Sequence, residues 1–254
     1  MTEALVTLDV TETAAVIRLN RPARHNALVP ELLVDLLDAL GDERSRNART
    51  VILAAEGPSF STGGDLLGFW RHRDNIADYA QQLVGLLNQA VIAICTHPSP
   101  VACAVQGQVT GGSLGLLLAA DRVIMKHGVS ITPWYSEVGF SPDGGWTTLL
   151  PHVIGRQQSL NWLCSNAPAT AEECLDMGIA HELVSTDASA AALAWSQQIA
   201  AMNKASIEST RSLLGKNTEE ISQGLEAERA AFVRQVQTPA AIEGIARFLG
   251  KKIL

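Results

Sequence analysis

Two short apolar runs, each followed by a glycine-bearing turn and then a segment suited to a helix, constrain this chain more than any other feature. The runs are Thr50 to Ala55 and Val101 to Val105, and both read as buried strands. The turns are Ser59-Phe60-Ser61-Thr62-Gly63-Gly64-Asp65-Leu66 and Gly107-Gln108-Val109-Thr110-Gly111-Gly112-Ser113-Leu114-Gly115. Glycine lets the backbone turn sharply and lets a ligand approach the main chain. N–H groups at a helix start are unpaired and can receive negative charge. Two of them aimed at one oxygen would form an oxyanion hole. Turns of this kind also occur in α/β proteins merely to reverse the chain. Neither one has the closing Lys-Ser/Thr of a P-loop or the spacing of a dinucleotide fold.

The same unit recurs through the first half. Ala14 to Leu19 and Arg122 to Lys126 read as further strands, and Gly112 to Ala120 as a short buried helix. Pro30 suits a first helical turn, and Leu32, Leu33, Leu36, Leu37 and Leu40 supply its apolar face. Asp74 to Thr96 reads as a long helix with Leu83, Val84, Leu87, Val91 and Ile94 inward, stopped by Pro98 and Pro100. After about Gly144 the strand signal nearly vanishes. Gly155 to Asn166, Thr170 to Gly178, Asp187 to Met202, Lys204 to Leu214, Thr218 to Gln237 and Thr238 to Gly250 all read as helices. Thr170 with Glu173, and Thr218 with Glu220, read as helix starts.

The 254 residues suit one large domain or a core with a helical appendage. A formal charge of −7 argues against a general nucleic-acid binder. No apolar run is long enough to span a bilayer, and Met1 to Val10 lacks the regions of a signal peptide, so no membrane partner and a cytoplasmic location are expected. Cys95, Cys103, Cys164 and Cys174 show neither metal nor disulfide spacing; the first three, among apolar neighbours, read as core. The six histidines form no metal spacing and read as loop or surface residues.

The order of these motifs resembles the crotonase superfamily, the enoyl-CoA hydratase/isomerase family. Arg18-Leu19-Asn20-Arg21-Pro22 and Arg24-His25-Asn26-Ala27-Leu28 are similar to its opening signature, Ser59 to Leu66 to its Phe-x-x-Gly-x-Asp-Leu loop, and Pro100 to Asp121 to its second glycine segment. Cys174 to Val184 and Ala240 to Lys252 resemble its later elements, so the resemblance covers nearly the whole chain. It implies an α/β fold: a spiral of repeated ββα units over residues 1–190 that binds acyl-CoA, and a helical trimerisation region over 191–254. It also implies a homotrimer or dimer of trimers, an acyl-CoA thioester as substrate, and no cofactor beyond the coenzyme A of that substrate.

The same resemblance carries the oxyanion-hole N–H groups onto Gly64 and Gly112. Acyl-CoA contacts are implied at Arg24, Ala27, Gly64, Asp65, Leu66, Leu67, Gly112 and Tyr135. Hydratases carry two glutamates, and the matching positions here are Gly115 and Tyr135, so efficient two-glutamate hydration is not expected. A different acid stands in Gly139-Phe140-Ser141-Pro142-Asp143-Gly144-Gly145, which resembles the turn of enoyl-CoA isomerases in which the acid shuttles a proton along the acyl chain. Asp143 is therefore the candidate acid/base. Its plain alternative is a cap for a helix running towards Leu150, since Asp before Gly is a common turn residue. Glu137 is the rival acid.

Around that candidate, Phe69, Trp70, Trp134, Tyr135, Trp146 and Trp162 are candidate pocket linings or plain core. Arg247, Lys251 and Lys252 resemble basic residues that approach CoA phosphates, or they lie on a solvated face. The reading is a 3-enoyl-CoA to 2-enoyl-CoA isomerase. Its alternatives are hydration, dehalogenation or hydrolysis at Asp143, and a non-catalytic acyl-CoA-binding protein.

Overall fold

The computed structural model describes residues 4–215 and 217–251. A hairpin, β1 (Val6–Val10) and β2 (Ala14–Leu19), leads through α1 (Pro30–Gly41) and α2 (Glu43–Asn47) to β3 (Thr50–Ala55). Then come α3 (Leu66–Arg71), α4 (Ile76–Cys95), β4 (Val101–Val105), β5 (Gln108–Thr110) and α5 (Leu114–Ala119). The second half begins with β6 (Arg122–Lys126), β7 (Ser130–Thr132), α6 (Tyr135–Val138), α7 (Leu150–Ile154) and α8 (Arg156–Ser165). It continues through β8 (Ala169–Thr170), α9 (Ala171–Asp176) and β9 (Glu182–Val184), and ends in α10 (Ala188–Ala200), α11 (Lys204–Leu213), α12 (Thr218–Val236) and α13 (Pro239–Phe248).

Among the described residues, six strands form one sheet in the order β1-β2-β3-β4-β6-β9, parallel except for the β1–β2 hairpin. A second sheet has the order β5-β7-β8. The four strands read from the sequence have the bounds expected. Their continuous apolar character follows from burial on both faces, with α1 and α4 on one side and α10 on the other. Strands β3 and β4 are parallel neighbours, Val51 beside Val101 and Leu53 beside Cys103. Their carboxyl ends, and the two glycine turns that follow, therefore lie side by side, the usual ligand position in an open α/β sheet.

The helices of the second half also lie where the sequence places them, within a residue or two. Thr170 and Glu173 form a complete capping box. The start of α12 differs, because Asn217 rather than Thr218 accepts from the Glu220 N–H. A larger difference lies at residues 144–149, which are turns, so Asp143 does not start a helix. The division at residue 190 falls within α10, which still covers β3, β4 and β6. Helix α12 packs along α4, and α13 packs on α3 and α6, so both fold back over the chain's own core. Cys103 is buried as expected, but Cys164 is exposed on α8, where Ser159 and Trp162 take the buried face instead. His97 is a loop residue, yet it is buried between Ser45 and Ser99.

Candidate active site

The two glycine turns are stitched directly together. The Ser61 N–H donates to the Gln108 carbonyl at 3.2 Å, the Thr110 N–H to the Ser61 carbonyl at 3.1 Å, and the Ser113 hydroxyl to the same Ser61 oxygen at 3.0 Å. Gly63 has φ +69°, and a Cβ there would lie 2.6 Å from the Thr110 carbonyl, so only glycine permits this approach. Gly64 pairs with Leu28 through its neighbours, while its own N–H has no acceptor among the described residues. Gly112 sits in the single 3-10 turn Gly111–Ser113 ahead of α5, where a helix-start N–H lacks an intrahelical partner.

Successive turns of α4 cover these glycines. A Cβ on Gly64 would meet Leu83 at 3.5 Å, one on Gly112 would meet Leu87 at 2.6 Å, and one on Gly115 would meet Val91 at 3.2 Å. The i, i+4, i+8 stripe of one helix thus forms an apolar lid over both turns. At Gly115 a Cβ would also lie 1.9 Å from the Gly144 carbonyl. Backbone thus fills the space that any side chain at Gly115 would need.

Asp65 caps α3 by accepting from the Leu67 N–H at 3.0 Å. Its carboxylate also receives Arg21 at 2.8 Å and Arg24 at 3.2 Å. Burial pushes this carboxyl up, but the Arg21 bond and charge, with Arg24 and Leu67, hold it below the ordinary range. Arg21 also donates to the Ala27 carbonyl at 3.0 Å. Buried Asn26, in left-handed backbone at φ +52°, bonds the Arg21 N–H and the Glu56 and Ser59 carbonyls. The opening motif therefore works as a brace for the first glycine turn.

Asp143 is buried beside the second turn. A Cβ on Gly112 would lie 2.9 and 3.0 Å from its two carboxylate oxygens. The Tyr135 hydroxyl donates to Asp143 Oδ1 at 2.6 Å, and no N–H or O–H of another described residue reaches Oδ2. Burial raises the Asp143 carboxyl most, the Tyr135 bond pulls it down, and the nearby Glu228 charge raises it again, to about 7. Tyr135 is itself pushed well above its ordinary value by burial and by Asp143. Asp143 caps no helix among the described residues; the Gly145, Thr147 and Thr148 N–H groups of the following turn go to buried Glu228 on α12.

One cavity of about 390 Å³ takes in Gly64, Gly112, Tyr135 and Asp143 together with Arg24, Ala27, Asp65, Leu66 and Leu67. Phe69, Phe140 and Phe232 line it in mutual ring contact, and Trp134 and Phe248 stand edge to face at 6.0 Å. Trp70, Trp146 and Trp162 do not line it; the last two are buried against each other in the core. Glu137 is exposed and outside the cavity. Arg247 donates to the Glu137 carbonyl at 2.6 Å, which fastens α13 to α6. Lys251 is exposed, and Lys252 lies outside the described residues. Sequence reasoning missed Glu228. Its one signal is an acid set in the apolar stripe Ile221, Leu225, Phe232 and Val236.

A model of the enoyl-CoA hydratase/isomerase family matches residues 9–253. The chain is similar to a crystal structure of enoyl-CoA hydratase from Bacillus halodurans, with TM-score 0.88 and 25% identity over 96% of this chain and 99% of that one. It is 28% identical to 4-chlorobenzoyl coenzyme A dehalogenase-2 of Arthrobacter over 71% of this chain and 66% of the dehalogenase, just under two thirds of that protein. It is 31% identical to 1,2-epoxyphenylacetyl-CoA isomerase of Escherichia coli over 65% of this chain and 64% of that protein. The chain belongs to the enoyl-CoA hydratase/isomerase family, and its α/β architecture is that of the crotonase fold.

Proposed function

We propose that this enzyme is an acyl-CoA isomerase that moves a 3-enoyl double bond to the 2 position, with Asp143 as the single proton carrier. The observation that carries this reading is the burial of Asp143 against the second oxyanion turn. The residue is buried, held at Oδ1 by Tyr135, and poised near neutral pH beside Gly112. A base suited to working pH is what C2 proton abstraction needs. The C2 proton passes to Oδ2, and the electron pair moves onto the thioester oxygen. The Gly64 and Gly112 N–H groups receive that dienolate oxyanion, a term worth about 3 kcal/mol per donor. Asp143 then returns the proton to C4. The reaction calls on no cofactor beyond the coenzyme A of the substrate.

Hydration fits less well, because Gly115 has no room for a glutamate and Tyr135 occupies the second hydratase position. Dehalogenation is the second reading, favoured by the likeness to 4-chlorobenzoyl coenzyme A dehalogenase-2. It would use Asp143 as a nucleophile, whereas burial pushes this carboxyl up towards the range in which an acid both takes and returns a proton. The test is an acyl-CoA panel in deuterated water. Isomerisation of 3-enoyl-CoA with deuterium uptake at C2 and C4 is expected to outpace hydration of 2-enoyl-CoA. Rapid hydration without isomerisation would reject the reading. On the same family grounds the enzyme is taken as a cytoplasmic homotrimer or dimer of trimers, and a monomer by light scattering would reject that assembly.

A further inference from the structure

Glu228 is a buried acid far along the chain from the glycine turns and from Asp143, and its bonding is unusually dense. Its Oε2 accepts from the Gly145 N–H at 2.7 Å. Its Oε1 accepts from the Thr147 N–H at 2.8 Å, the Thr147 hydroxyl at 2.7 Å, the Thr148 N–H at 2.8 Å and the Thr148 hydroxyl at 2.9 Å. All five donors belong to the turn that follows Asp143. An acid in the apolar stripe of α12 carries a desolvation cost that only such a set of donors offsets.

We infer that Glu228 is the positioning residue of this site, holding the 145–148 turn so that Asp143 presents an uncommitted Oδ2 to the oxyanion turn. Asp143 stands only two residues before the first of those N–H groups, Gly145, so without Glu228 its carboxylate is a ready acceptor for them. A carboxylate turned towards backbone donors becomes a cap, with lowered basicity and the wrong aim. Glu228 thus takes the capping role that the sequence suggests for Asp143.

The surroundings make this a two-body arrangement. Tyr135 on α6 and Glu228 on α12 are the titratable groups that act on Asp143 among the described residues. Helix α4 and the Gly111–Ser113 turn contribute Leu87 and Gly112 at this point and no charge. The inference takes Asp143 as the proton carrier proposed above.

The experiment follows the Asp143 carboxyl directly, by carbon NMR of protein labelled at aspartate, with Asp143→Asn identifying the signal. Isomerisation is measured in parallel across pH. Glu228→Gln removes the charge and the Gly145 acceptor, so the Asp143 midpoint should fall by about one pH unit and the acid limb of turnover should move with it. Glu228→Asp keeps the charge but is one methylene short. A fall in its midpoint therefore reports the slackened turn and not a lost charge, and kcat should fall about tenfold or more, with KM little changed. A parent-like midpoint in Glu228→Gln overturns the inference. Should that variant fail to fold, parent-like turnover in Glu228→Asp overturns it equally. If the parent itself shows no isomerisation, the titration still decides the role of Glu228, and only the isomerase assignment fails.

Discussion

The Tyr135 hydroxyl lies 2.6 Å from Asp143 Oδ1, and both groups are buried. That one bond divides the two carboxylate oxygens into a held one and a working one. It also couples the acid to α6, the short helix at the cavity wall that ends at Val138.

Tyr135→Phe should raise the Asp143 midpoint, since the lost bond favoured the ionised form. Less of the base is then ionised at neutral pH. Turnover should fall more at pH 6 than at pH 9, and the acid limb of the profile should move upward. A uniform loss across pH would mean that the hydroxyl only shapes the pocket.

Asp143→Asn should reduce isomerisation by about 100- to 10,000-fold, the usual loss for a general base. Acyl-CoA affinity should hold, since Gly64, Gly112 and the Arg21–Asp65 brace are untouched. Calorimetric affinity together with turnover checks this. Near-parent turnover would remove Asp143 from the mechanism.

Gly115→Glu, which restores a hydratase acid by sequence, should not confer hydration. Its Cβ alone would stand 1.9 Å from the Gly144 carbonyl and 3.2 Å from Val91. The turn that carries Asp143 would have to move, so the melting temperature and the isomerase rate should both drop; overpacking of this kind costs about 1–3 kcal/mol or more. A stable, hydrating variant would show that the turn yields readily.

Much of this was legible in the sequence because it is local. Runs such as Thr50–Ala55 and Val101–Val105 declare buried strands, and the Leu83, Leu87, Val91 stripe declares the inward face of α4, although only the fold shows that it covers the glycines. Strands β5 and β7, three residues each, have no pattern of their own; they form because Gln108 to Thr110 lies beside Ser130 to Thr132. The Asp143 turn misled for a related reason. Pro-Asp-Gly-Gly suits a helix start, yet the acid that satisfies the turn is Glu228, 83 residues from Gly145. Long-range polar pairings of this kind leave only a faint mark, here one charge in an apolar stripe.

Buried Asp143 also makes the stability of the fold depend on pH. The folded Asp143 carboxyl is raised from an ordinary value near 3.8 to about 7, chiefly by burial. A raised acid binds more protons in the folded state than in the unfolded one. Its contribution to stability is therefore intact below pH 4 and is lost as pH rises through 7. Above that range the fold carries a standing cost, which Asp143→Asn removes because the amide does not ionise. The variant should accordingly melt above the parent at pH 8. The difference should shrink steadily towards pH 5, once the amide's own packing effect is subtracted as the value at pH 4. Denaturation curves at those three pH values measure it. A difference independent of pH would mean that Asp143 titrates alike in both states, and the buried, neutral-poised acid on which the isomerase reading depends would be gone.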